Sequence, residues 1–172
     1  MRTRPASHGN DFEAFFRAEH PRLVAIGLAL TGDREASRDL AAEALSRAHR
    51  SWPSLDNPSA WVRRVVTNLA TDRGRRLGRE RRALARVASQ TVAGSEMNDP
   101  VSDGFWAAVR ALPERQQAAV VLHYLEDRSI LDVAAILGIA EGTVKASLFK
   151  ARNTLVTTLT TPSQSETHRE VQ

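Results

Sequence analysis

Apolar residues recur along this chain at intervals of three and four, the spacing that stacks side chains on one face of a helix. Phe12, Phe15 and Phe16 lead into Leu23, Ile26 and Leu30. They predict a first helix over 11–30, which Pro21 should kink or restart. Thr31-Gly32-Asp33 is a turn signal. After it, Leu40, Ala44 and Ala48, flanked by Ala41 and Leu45, mark a second helix over 34–51. Trp52-Pro53 closes that helix, 54–57 reads as a loop, and Pro58 suits the first turn of a third helix. Its stripe of Trp61, Val62, Val65, Val66 and Leu69 points to an amphipathic helix running on towards Arg76.

The character changes at 88–104, where Ser, Thr, Gly, Asn, Asp and Pro dominate and large apolar residues are few. This stretch reads as a flexible linker. Helical spacing then returns four times. Phe105, Trp106, Val109 and Leu112 form a short helix before Pro113. Ala118, Val121, Leu122 and Leu125 lie on one over 113–125, Ile130, Val133, Ala134 and Leu137 on one over 129–137, and Val144, Leu148, Leu155 and Leu159 on one over 141–159. No segment alternates with a strand's period and no repeat is visible. The expectation is an all-α chain of two small helical domains, 11–87 and 105–159, joined by the linker at 88–104, with disordered ends at 1–10 and 160–172.

Composition narrows the function. The chain has 172 residues, 42% hydrophobic and 26% charged, with a net charge of +4. Two modules of this size each bury a modest share of their surface and gain from a partner. The basic excess is concentrated: between Asp72 and Arg86, Arg73, Arg75, Arg76, Arg79, Arg81, Arg82 and Arg86 face only two acids, Asp72 and Glu80. Seven cations on one short segment point to nucleic-acid phosphates. There is no cysteine, which excludes disulfides and thiolate chemistry. No apolar run reaches the roughly 20 residues that span a bilayer, and residues 1–16 hold no apolar signal core, so the expected location is cytoplasmic, without membrane insertion. His8, His20, His49, His123 and His168 are scattered, and neither a Gly-rich phosphate loop nor a metal-ligand cluster stands out. The expectation is a protein with no catalytic residues, no metal or other cofactor and no small-molecule substrate.

The strongest local pattern is SILDVAAILGIAEGTVKASLFKARNTL, residues 129–155. A short helix, a turn at Gly138 and a second helix are the parts of a helix-turn-helix. Small Ala134 permits close helix contact, Gly138 supplies the positive φ the turn needs, and Ile139 and Val144 fill the angle. The outer face of the second helix then offers Lys145, Ser147, Phe149, Lys150 and Arg152 to a major groove.

The larger segment around that motif resembles region 4 of the sigma-70 family. The resemblance rests on Leu112-Pro113, Arg115-Gln116, Leu137-Gly138, Gly142-Thr143-Val144-Lys145 and Ala151-Arg152 at fixed intervals. The N-terminal half is similar to sigma region 2 through Thr31-Gly32-Asp33, the run 39–45, Asn57-Pro58, 60–65 and 68–73. Order and linker match the minimal, two-domain extracytoplasmic-function (ECF) sigma factors of RNA polymerase. The chain departs from the pattern at Ala42, Leu45, Asp132, Glu141 and Ala146-Ser147.

The resemblance implies a protein that directs core RNA polymerase to promoters. Its second helix would dock on core polymerase through Asp39, Leu40, Glu43, Arg47 and Arg50. Leu55, Asn57, Trp61 and Asn68 would form a base pocket at the −10 element, with Arg63, Arg64, Arg73, Arg75 and Arg76 on phosphates. Arg115, Thr143, Lys145, Ser147, Phe149, Lys150 and Arg152 would meet the −35 element. Its implied partners are core polymerase, promoter DNA and an anti-sigma factor that masks the polymerase-binding surfaces. The alternative is a stand-alone helix-turn-helix regulator, which would account for 105–159 and leave the pattern from Asp39 to Arg76 without a role.

Overall fold

The structure is a computed structural model that describes residues 8–85 and 100–160. Expectations for 1–7, for the linker as far as residue 99, for Arg86 and for the tail from 161 lie outside the described residues. All described elements are helical. They are α1 (His8–Thr31), α2 (Arg34–Ser51), a 3-10 turn (Trp52–Ser54), α3 (Pro58–Ala85), α4 (Pro100–Arg110), α5 (Glu114–Val120), a π turn (Val121–Leu125), α6 (Ile130–Leu137) and α7 (Glu141–Thr160).

Helix boundaries follow local chemistry. Asp33 caps α2, its carboxylate accepting from the Ala36 N–H at 2.9 Å. Asn57 does the same for α3 through the Ala60 N–H at 3.0 Å. Ser129 and Asp132 form a reciprocal capping box at the start of α6. Gly138 ends that helix at φ 67°, the left-handed conformation the helix-turn-helix requires.

Several boundaries differ from the pattern reading, beginning with α1, which starts at His8, and α7, which reaches Thr160, both inside the ends expected to be disordered. Helix α1 runs unbroken through Pro21, which is exposed, so water can satisfy the carbonyl the ring leaves without a donor. Helix α4 begins at Pro100, inside the expected linker. The helix expected to continue to Leu125 widens at Val121 into a π turn, closed by the Glu126 N–H on the Val121 carbonyl at 3.3 Å.

The two helical groups share one interior. Leu23, Ile26, Leu45, Val62 and Val66 of the first belong to the same apolar cluster as Val109, Leu122, Val133 and Val144 of the second. Helix α4 and the π turn rest on α1, and α6 rests on α3. Each such aliphatic side chain contributes about 1.5–3 kcal/mol when fully buried.

Candidate nucleic-acid interface

The face of α2 turned from the core carries Asp39, Arg47 and Arg50 exposed and Glu43 half-buried. Glu43 and Arg47, one turn apart, pair at 2.6 Å, with Arg50 4.0 Å from the same carboxylate. Leu40 is not part of this face. It is 8% exposed and packs in the core, because a residue next to Asp39 is turned by about 100° around the helix.

The entry to α3 holds a cleft of about 440 Å³. It brings together Leu55, Asn57 and Trp61, three of the four residues expected to share a base pocket, along with Arg64, which was expected on phosphates, Ser54, Asp56, Ala60 and, from α6, Ala135. The 3-10 turn and the Asn57 cap fix this geometry, so the Asn57 carboxamide oxygen already serves the backbone. Asn68 lies outside the cleft lining, exposed further along α3.

Arg63 is a correction. It was expected on phosphates, yet its side chain is fully buried between two carboxylates: Glu19 at 2.8 Å and Glu126 at 2.6 Å. It also donates to the Ser59 carbonyl at 3.0 Å and the Ser59 hydroxyl at 2.6 Å. The apolar periodicity makes Arg63 look like a surface position, because the cover over it comes from Glu126, 63 residues away. Its neighbour Arg64 is exposed as a residue, but its head donates to the Ile136 and Ala135 carbonyls at 2.6 and 2.5 Å.

Beyond the cleft, α3 becomes an arginine helix. Arg75, Arg76, Arg79, Arg81 and Arg82 are exposed. Arg73 is half-buried, 3.3 Å from Asp33. Arg76 lies 3.9 Å from Glu80. Arg75 is held by both oxygens of Glu114, with contacts of 2.6–3.0 Å. That hydrogen-bonded carboxylate, and its charge, raise the Arg75 guanidinium further above its ordinary value.

The residues expected at the −35 element divide between two flanks of α7. Thr143 and Lys150 face α5 across a cleft of about 610 Å³ that also contains Arg115, Glu114 and Gln116. Lys145, Phe149 and Arg152 form an exposed stripe at intervals of four and three. Phe149 is 67% exposed, so it does not close the core. Arg152 borders a second, apolar groove with Phe105, Tyr124, Val156 and Leu159. Ser147 is a further correction: at 8% exposed it is buried on the side of α7 that faces α5 and not offered to a groove.

Residues 15–80 match the sigma-70 region 2 family, and residues 102–155 match the sigma-70 region 4 family. The chain is 31% identical over 153 residues to the ECF RNA polymerase sigma factor SigM of Mycobacterium tuberculosis, covering 82% of this chain and 73% of the relative. The chain belongs to the ECF RNA polymerase sigma factors. This sigma factor is also 29% identical over 149 residues to the RNA polymerase sigma-E factor of Streptomyces coelicolor, covering 82% and 81% of the two chains. In fold it is similar to the sigma factor RpoE of Bartonella quintana, solved in complex with the anti-sigma factor NepR. That match has a TM-score of 0.71 and 27% identity, covering 89% of this chain and 99% of the other. The region 2 match gives the N-terminal half the role that a stand-alone regulator leaves empty. Among the described residues, no helix is long and apolar enough to cross a membrane and no group of metal-ligating side chains occurs.

Proposed function

We propose that this sigma factor binds core polymerase through the outer face of α2 and reads a promoter at two places. The cleft at the start of α3 takes an unpaired base of the −10 element, and α7 with Arg115 meets the −35 element. The observation that carries the reading is the convergence of Leu55, Asn57, Trp61 and Arg64 on one cleft beside an exposed arginine helix. No catalytic group is needed to open DNA this way. Extruding a base costs a few kcal/mol, and stacking on an aromatic side chain returns about 1–3 kcal/mol, so holding the unpaired state shifts the duplex towards opening. The arginines supply the salt-dependent part of the binding.

Arg63, Leu40 and Ser147 leave the set of contact residues, because their side chains are enclosed. Arg73, Arg75 and Arg76 remain for phosphates, and Thr143, Lys145, Phe149, Lys150 and Arg152 for the −35 duplex. The complex in which the similar RpoE chain was solved supports an anti-sigma factor as a third partner. The working location that fits these partners is the cytoplasm, where polymerase and promoter meet.

Reconstituted transcription tests the reading. The chain with core polymerase should start transcripts at defined promoters, and neither component should do so alone. Trp61→Ala should lower stable open-complex formation by about tenfold, the loss of roughly 1.4 kcal/mol of stacking, while core binding stays unchanged. Equal start-site selection with and without the chain would refute the proposal.

A further inference from the structure

Lysine is rare in this chain and confined to one helix. Of the 24 lysines and arginines, 22 are arginines, and the two lysines, Lys145 and Lys150, both stand exposed on α7. Arginine serves a phosphate at least as well, because its planar fork binds two oxygens at once. What lysine adds is reactivity. Its amine forms an amide with an activated acyl group, whereas a guanidinium, which keeps its proton, does not.

The two amines differ in their surroundings. Lys145 belongs to the open stripe with Phe149 and Arg152. Lys150 lines the cleft of about 610 Å³ between α5 and α7, together with Arg115 and Thr143. The carboxylate in that lining, Glu114, has both oxygens committed to Arg75, with contacts of 2.6–3.0 Å. The cleft therefore favours anions. It offers a guanidinium and a hydroxyl to a phosphate group and places an amine in the same space.

We propose that Lys150 is an acylation site for acyl phosphates, and that its acylation loosens this sigma factor's grip on the −35 element. The deprotonated Nζ attacks the acyl carbonyl carbon. The N–C bond forms as the C–O bond to the phosphate breaks, inorganic phosphate leaves with that electron pair, and the amine's displaced protons pass to water. A cation becomes a neutral amide. The acylation stands on the cleft alone. Its effect on the promoter rests on the function proposed above, in which Lys150 meets the −35 duplex. Losing one phosphate contact should lower the slope of log K against log salt by about 0.9, which weakens binding about fivefold at about 0.15 M salt.

Acetyl phosphate is the probe. The full chain is incubated with it, and acetylation of Lys145 and Lys150 is followed by peptide mass spectrometry. Lys150 should react about tenfold faster than Lys145, because the cationic cleft concentrates the anionic donor. Arg115→Gln should remove that lead with helicity unchanged. Promoter binding is then measured with core polymerase in K145R, whose one lysine is Lys150, and in K145R/K150R, each against its own untreated sample. Treatment should weaken binding about fivefold in K145R and leave K145R/K150R at its own baseline. A Lys150 that reacts no faster than Lys145, or that keeps its lead in R115Q, would overturn the site and leave the −35 reading standing. Complete acetylation of Lys150 with unchanged promoter binding would overturn the regulatory effect and take this side chain off the −35 duplex, so the two failures are distinguished.

Discussion

Arg63 is held from two sides by carboxylates in a space closed to water. An enclosed cation of this kind is costly to orphan and costly to remove, since deleting one member leaves the others uncompensated. Arg63→Ala should therefore destabilise the fold by about 3–5 kcal/mol in chemical denaturation. Arg47→Ala, which breaks the solvent-exposed pair with Glu43, should cost no more than about 0.5 kcal/mol in the same experiment. Asp33 tests a different kind of contact. The Ala36 N–H, and after burial's opposing effect the nearby Arg73, hold its carboxyl below the ordinary 3.8. The folded group stays ionised to lower pH than the unfolded one. Its contribution is therefore whole above 3.8 and disappears as the pH falls through the folded value. Asp33→Ala should cost about 1 kcal/mol at pH 7, and the gap from wild type should narrow in acid, which denaturation at stepped pH will show.

At the scale of elements, the helices and the helix-turn-helix were legible because they rest on local rules. Apolar residues at intervals of three and four placed all the described α-helices, and Gly138 marked the turn its φ of 67° now shows. What escaped was set from far along the chain. Nothing near Val121 announces a π turn, whose end at Glu126 meets Arg63 across 63 residues. Leu40 and Ser147 were misplaced for a simpler reason: each adjoins an exposed residue, and one step around a helix is enough to turn it inward. The candidate site was legible as residue types but not as geometry, since Ala135 enters the −10 cleft from a different helix. The arginine helix carries a prediction that depends on charge alone. Neutralising Arg75, Arg76 and Arg79 together should flatten the slope of log K against log salt for promoter binding by about 2–3 units. Titration of the polymerase complex with salt measures it, and an unchanged slope would take these side chains off the phosphates.

Across the whole molecule, the surfaces proposed to meet polymerase and promoter differ in how far neighbouring side chains cover them. Asp39, Glu43, Arg47 and Arg50 stay accessible on α2, whereas Ala135 walls the −10 cleft and Glu114 occupies Arg75. Reversing charge at Asp39 and Glu43 should accordingly weaken binding to core polymerase by about tenfold or more, as like charges meet across the docking surface. Retained helicity and equilibrium binding with labelled core enzyme are the measurements, and an unaltered dissociation constant would move the docking face elsewhere.

The carboxylate at the end of the π turn has a consequence for cutting this chain in two. Glu126 covers an arginine that belongs to the other half, above an apolar interior drawn from both. Severed from its counterpart, each fragment would meet water with surface that the intact chain keeps enclosed, and should melt below the whole.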